Sequence, residues 1–232
     1  MNNSYFQDKH HSIWNNFCEK MGIGDERIPL FEVNSDLKVA TKTIGSSNVR
    51  SVLCRSEAME KKVLSQTDLL VEDWESGLNE FDGLIYLMYL MRGKDVIPCY
   101  IGKAETIGKG NGNLSANIKN LHKDKSKFAR WGDNYAYHIG DLSAAVLPDH
   151  HQSKKTIKYT AWANSLFVST PSQTPQLREN VFFWAKAWRG SDTGIWEDFG
   201  QTRLTFLEYL LIGVASSAFP TSLLNREGQN RN

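Results

Sequence analysis

The stretch at residues 83–103, GLIYLMYLMRGKDVIPCYIGK, constrains the fold more than any other part of the chain. Residues 84–91 form an almost unbroken apolar run, and residues 97–101 a shorter one. Between them Arg92, Gly93, Lys94 and Asp95 make a charged, glycine-containing segment of the kind that closes a β-hairpin. A run that is apolar on both faces suits a central strand covered from both sides, although a buried helix has the same periodicity. Tyr86 and Tyr100 fall on the two facing strands, and Gly102 followed by Lys103 ends the second.

The other elements are read around this hairpin. Residues 1–21 pattern as a helix with Trp14, Phe17 and Met21 on one stripe, stopped by Gly22 and Gly24. Short β-leaning pieces follow at 30–33 and 38–41, then a helix at 57–74 that should end at 75–77. Beyond Lys103 a glycine loop leads to Asn113 as a helix cap, with Leu114, Ile118, Leu121 and Phe128 on one helical stripe. Residues 135–139 read as a strand, 148–152 as a turn, and 161–168 and 181–188 as further strands. In the last helix, at 204–216, Leu207, Leu210, Leu211 and Val214 form a stripe and Glu208 is the one acid. The expected class is therefore α/β (α+β), a small mixed or antiparallel sheet flanked by helices. Residues 1–80 read as a mostly helical N-terminal extension and 81–232 as the main domain, with an insertion at about 141–180.

With 41% hydrophobic and 23% charged residues, the 232-residue chain can bury a real core. Its net charge of +1 says nothing about nucleic acid, but the charges are not evenly spread. Residues 68–82 carry six acids and no Lys or Arg, whereas residues 103–130 carry seven basic residues and two acids. Such polarity can present one anion-binding face, or a solvated helix face. Cys18, Cys54 and Cys99 are odd in number and far apart, which argues against a disulfide framework and a structural zinc site. Neither a signal-type apolar core nor a membrane-spanning run is present, so a reducing cytoplasmic setting without a membrane partner is expected.

Gly83-Leu84-Ile85-Tyr86 followed by Tyr100-Ile101-Gly102-Lys103 resembles the signature of the GIY-YIG nuclease superfamily. The first motif has one extra residue between its glycine and tyrosine, and the 14-residue offset between the tyrosines fits the family's two-strand spacing. Glu208, then Leu211-Ile212, then Leu224-Asn225 is similar to the family's helix glutamate with its downstream Leu-Asn. The resemblance covers about residues 82–227 and leaves the first 75 or so outside it. It implies a GIY-YIG-like fold and a metal-dependent endonuclease acting on DNA, organised as a stand-alone restriction or phage-defence enzyme would be.

Cutting a phosphodiester needs an activated water, stabilisation of charge on the phosphate, and support for the leaving oxygen. A carboxylate holding Mg²⁺ (or Mn²⁺) can meet the last two needs, and Glu208 is the expected ligand. The resemblance implies that one signature tyrosine activates the water while the other orients groups. Tyr86 is taken as the base, and Lys103 as the nearby charge that would favour its phenolate. Asn225 is expected to order the site by hydrogen bonds. The chain departs from the family at its first helix, where Asn117 stands in place of an arginine. Arg130 is the expected replacement, because a guanidinium fork suits phosphate better than an ammonium does. His122, one turn past Lys119, is a runner-up proton carrier or phosphate donor. Lys109, Lys119 and Lys123 would follow the backbone of double-stranded DNA. Taken singly, core tyrosines, a helix-flank carboxylate or a strand-end lysine are ordinary structural residues; the ordered combination carries the reading. Two other readings use the same residues: a catalytically degenerate DNA-binding module, and a repair or mobile-element nuclease. The motifs do not separate DNA from RNA, or nicking from double-strand cutting, for which a homodimer is the simplest arrangement.

Overall fold

A computed structural model describes residues 3–47, 49–109 and 112–229. In chain order the elements are α1 (Asn3–Lys20), β1 (Thr41–Ile44), β2 (Arg50–Leu53), α2 (Glu57–Ser76), β3 (Phe81–Arg92), β4 (Asp95–Glu105), α3 (His138–Val146), α4 (Ile157–Leu166), β5 (Phe182–Arg189) and α5 (Leu204–Ala218). The protein is mixed α/β, with small antiparallel sheets flanked by helices. It forms two compact units, both discontinuous in sequence. The first comprises Met1–Ile28, Ser65–Ser115 and Phe182–Asn232; the second comprises Pro29–Leu64 and Ala116–Val181. A boundary near residue 80 is therefore not where the chain divides. Residues 1–28 belong with the hairpin they were expected to precede, and the segment at 141–180 belongs with residues 29–64.

The first unit is built on a three-stranded antiparallel sheet of order β4-β3-β5. β3 is the central strand, buried along most of its length, which is why its sequence is apolar without alternation. Opposed residues of antiparallel strands share a face of the sheet. One face carries Ile85, Lys103 and Lys186, and the other carries Tyr86, Gly102 and Ala185. The first face meets the turn after α1 and the start of α5: Lys186 Nζ lies 3.7 Å from Met21 Sδ, and Lys103 Nζ bonds Thr205 Oγ1 at 2.9 Å. α1 is held to the sheet and to α5 by one residue. Trp14 Nε1 donates to Val96 O at 2.8 Å, and its ring packs edge-on to Phe219 at 5.9 Å. Asp82 connects sheet and helix, its carboxylate accepting from Leu204 N at 3.0 Å at the start of α5 and pairing with Arg203 Nη2 at 2.7 Å.

In the second unit β1 and β2 form a hairpin, α3 packs on β2 and on α4, and Leu53 N donates to Ser143 Oγ at 2.9 Å. Its organising polar residue is Arg55, whose side chain is 1% exposed. The guanidinium donates to Glu60 Oε1 from Nε and Nη2 (3.1 and 2.9 Å) and to Trp131 O from Nη1 (2.8 Å), and lies 3.8 Å from Asp133 Oδ2.

Three sequence expectations in this unit fail, each for a local reason. Residues 114–128 are not a helix: residues 116–123 are turns, followed by a 3-10 segment at Lys125–Arg130. Asn120 takes φ +62°, and its carbonyl collects the N–H groups of Lys123 and Asp124, so the apolar spacing follows a folded loop. Asn113 therefore caps no α-helix. Residues 135–139 do not form a strand, because α3 begins at His138. All nine α3 residues are buried, and a helix buried all round shows no amphipathic period. Residues 161–168 fall mostly in α4, whose start is set by Thr156 accepting from Tyr159 N, a cap that lies upstream of the apolar pattern. The hairpin of β1 and β2 overlaps the β-leaning piece at 38–41 only at its first residue.

Candidate functional site

The two signature tyrosines stand on one face of the sheet. Tyr86 opposes Gly102 and Met88 opposes Tyr100, which places the tyrosine rings on neighbouring strands with centroids 6.3 Å apart. Between Pro98, opposite Tyr89, and Tyr100, opposite Met88, Cys99 is an extra residue in β4. This irregularity falls where Pro98 has no N–H to give, and it resets the face on which Tyr100 emerges. Tyr86 is 1% exposed and stacks on Phe183 at 6.2 Å and 24°. Its ring crosses directly over Gly102: a Cβ there would lie 2.6 Å from both Tyr86 Cζ and Oη. The glycine of the second motif is thus the floor on which the tyrosine of the first motif rests. Gly83 is constrained as well, since its φ of +151° and the carbonyl oxygen of Ala104, 2.3 Å from where a Cβ would sit, admit no side chain.

Lys103 is not beside this pair. Three residues along a strand from Tyr100, it projects to the opposite face, where it bonds Glu105 Oε1 and Thr205 Oγ1. Thr205 also donates to Glu105 Oε1 at 3.2 Å. The Lys103 ammonium holds the Glu105 carboxyl below the usual carboxylate range, against the effect of its partial burial and with help from Thr205. Its charge is thus matched by Glu105, and the expected stabilisation of a tyrosine phenolate by Lys103 is not how these residues are arranged. Glu105, two residues past Lys103 and hence on the same face, was readable from strand period alone. Asp82 and Thr205 carried no such signal. Glu105, Thr106, Asp82, Arg203 and Thr205 line a surface cavity of about 340 Å³ at the start of α5.

Glu208 lies one turn beyond Thr205 on α5, half-buried, with Leu204, Leu207 and Leu211 buried beneath the helix. No group of three His, Cys, Asp or Glu side chains is poised for a metal among the described residues. One or two carboxylates do not make a Zn²⁺ or Ca²⁺ cage. Mg²⁺ asks for fewer protein ligands, since it keeps several waters and is bound through one or two carboxylates with substrate phosphates.

Asn225 serves β4 directly. Its Oδ1 accepts from Ile101 N at 2.9 Å and its Nδ2 donates to Ile101 O at 2.8 Å, while Leu224 N donates to Cys99 O at 2.7 Å. The side-chain amide thereby replaces a neighbouring strand at the edge residue between Tyr100 and Gly102. Asn225→Ala should cost about 1–2 kcal/mol, since water can reach part of the vacated edge. Faster hydrogen exchange at the Ile101 amide, with the rest of β3 unchanged, checks it.

The other sequence candidates divide between the units. Lys109 is exposed in the first. In the second, Lys119, His122 and Lys123 are exposed on the run of turns. Arg130 takes φ +71° directly after Ala129 at φ +38°, and its guanidinium lies 5.2 Å from the Tyr137 ring centroid. Two successive non-glycine residues in the left-handed region are an uncommon local strain. The structure thus gathers Tyr86, Tyr100 and Asn225 about β4, and Lys103 with the helix that carries Glu208. Comparison with protein-family models, with curated proteins and with solved structures found no match.

Proposed function

We propose that the chain is a metal-dependent endonuclease of GIY-YIG type that hydrolyses DNA phosphodiester bonds. The observation that carries this is the pairing of Tyr86 and Tyr100 on one sheet face over Gly102, which gives the spacing of both motifs a common geometric cause. Burial favours a division of labour other than the sequence expectation, in which Tyr86 is the base. Tyr86, stacked and 1% exposed, orients the site, whereas Tyr100, partly exposed, is the better placed of the two to act on the attacking water. Asn225 holds Ile101, and so the strand on either side of it, in register. Glu208 would hold Mg²⁺ or Mn²⁺, which supplies charge stabilisation at the phosphate and the leaving oxygen. A role in restriction or phage defence is one setting for the activity.

Nicking of supercoiled plasmid in Mg²⁺ tests the proposal. Wild type should nick, and Tyr100→Phe and Glu208→Ala should each fall by about 100-fold or more. Equal cleavage by wild type and Glu208→Ala removes the metal-ligand role. Tight duplex binding with no cleavage by any form identifies a binding module instead.

A further inference from the structure

Four aromatic side chains of the first unit stand on its surface as one connected row. Trp196 packs edge-on to Phe199 at 5.6 Å, Phe199 packs edge-on to Phe206 at 5.4 Å, and Tyr209 follows Phe206 one turn along α5. They are 36%, 52%, 45% and 55% exposed in that order, on the side of α5 away from the buried Leu204, Leu207 and Leu211. Single exposed apolar residues need no explanation, but a connected set of this kind does. Beside the row lies a groove of about 250 Å³, whose apolar walls are Ile13 and Phe17 of α1 on one side and Ile195 and Trp196 on the other. Trp196 belongs to both, so row and groove are continuous.

The loop that carries Trp196 and Phe199 is fastened. Thr202 is buried, its Oγ1 accepts from Gly194 N at 3.3 Å and donates to Gly200 O at 3.1 Å, and its carbonyl accepts from Trp188 Nε1 at 2.7 Å. Thr202 N also donates to Asp192 O at 2.9 Å and Thr193 pairs with Gln201, which closes the ends of residues 192–202 together. Rings held in place before binding have less freedom to lose on binding. The charges around the row do not suit nucleic acid or an anionic membrane. Lys20, in the groove, pairs with Glu197 at 2.8 Å, and Arg203, just before α5, pairs with Asp82 at 2.7 Å. Asp198 adds a further carboxylate to the groove. A base-stacking platform works beside a positively charged track, whereas here both cations are already matched and the acids outnumber them.

We propose that this face is the contact between two copies of the chain related by a two-fold axis. A patch that carries a protruding row next to a groove is complementary to itself: on a two-fold axis each row faces the other copy's groove, and a ring of one copy enters the space between α1 and residues 194–198 of the other. The area agrees with what a dimer needs. Half of four aromatic side chains is roughly 400 Å² of apolar surface. A standard interface takes about 800 Å² from each partner, a little over half of it apolar, or about 450 Å². The row therefore supplies the apolar core of an ordinary two-fold interface. The contact needs neither DNA nor metal and so stands apart from the nuclease reading; under that reading it would supply the paired sites that double-strand cutting requires.

The test is the mass of the full chain by sedimentation velocity, without DNA or metal, over a series of concentrations spanning the micromolar range. Wild type should shift with concentration from the 26.3-kDa chain to twice that mass. Phe199→Ser and Phe206→Ser should each raise the dissociation constant about 30-fold or more, the usual effect of losing a central aromatic anchor. Phe206→Tyr keeps the ring and should dimerise as wild type does, and circular dichroism shows that each variant is folded. Wild type that stays monomeric throughout overturns the proposal, as does an unchanged dissociation constant in the folded double variant Phe199→Ser/Phe206→Ser. Monomeric wild type that binds a short single-stranded oligonucleotide, with binding lost in the double variant, also overturns it and makes the face a stacking platform. Plasmid nicking by the same preparations separates this contact from the nuclease reading. Nicking by a monomer leaves the nuclease and removes the contact; a dimer that does not nick does the reverse.

Discussion

Replacing Arg55 by Ala is expected to remove about 3–5 kcal/mol of stability, the usual cost of taking one partner from a buried ionic cluster. For a chain of this size, that is a fall in melting temperature of roughly 6–20 °C. The guanidinium is 1% exposed and meets two carboxylates, Glu60 and Asp133, whose side chains are 18% and 10% exposed. It also donates to Trp131 O and lies 4.9 Å from the Phe128 ring, so it fastens the loop before α3 to the start of α2 within the second unit. Without it, Lys42 still faces Asp133 and Lys125 still faces Glu60, but from positions 41% and 43% exposed, where water screens them. The pH dependence follows in sign. Burial pushes the Glu60 carboxyl up, but hydrogen bonds and charge from Lys125 and Arg55 outweigh it, and the folded pKa is depressed. A depressed carboxylate contributes stability that is present above its unfolded pKa and lost as pH falls through the folded value. Arg55→Ala should therefore unfold at higher pH than wild type on acid titration, with the difference between them complete above the ordinary carboxylate range and shrinking as pH falls below it. Melting curves from about pH 3 to 7 that superimpose for the two proteins would show that Arg55 is not the anchor of this cluster.

The parts of the fold that were legible in the sequence share one property: their pattern was set by the element itself. β3 is apolar on both faces because it is paired on both edges and covered on both sides, and its hairpin is closed by a loop of polar residues. α5 shows a helical stripe because one side packs and Tyr209 and Phe206 do not. α3 and α4 were both misread. α3, buried along its whole length, has no solvent face to mark its period, and its aromatic flank, Tyr135 to Ile139, reads as a strand; α4 does carry a buried stripe, Tyr159, Trp162, Ala163 and Leu166, but it begins ahead of the residues read as a strand. The run at 114–128 failed the opposite way, since loop residues that must reach a core at intervals can copy helical spacing. Of the candidate site, the tyrosines were accessible because motif order places them on adjacent strands, and Asn225 because it follows the last helix within the same motif pattern. The side on which Lys103 emerges was also readable, because three residues along a strand always reverse the face. The placing of Arg50 and Lys154 over the Tyr135 ring was not readable: they come from two stretches that only the tertiary fold brings together.

Gly102→Ala should damage both the fold and the proposed activity through one contact. The added Cβ would sit 2.6 Å from Tyr86 Cζ and Oη, closer than nonbonded carbon and oxygen can approach, and Tyr86 has little room to retreat. Its ring is stacked on Phe183, lies 6.3 Å from Tyr100, and is 1% exposed. Overpacking of this kind costs about 3 kcal/mol. If the pair orients the water, as proposed, a displacement of about 1 Å lowers the nicking rate some 100-fold. Gly213→Ala is the matched control. That glycine lies inside α5, where a Cβ meets nothing within 4 Å, so the change should stabilise by about 0.5–1 kcal/mol and leave nicking unchanged. Loss of activity alone could come from any disturbance of β4, so the cause is isolated by a double-mutant cycle. In a Tyr86→Ala background the clash has no partner, and Gly102→Ala should then cost about 1 kcal/mol or less, a coupling of about 2 kcal/mol with the wild-type background. Additive costs would mean that the glycine serves the strand rather than the ring, and would remove the geometric link between the two motifs on which the tyrosine pair depends.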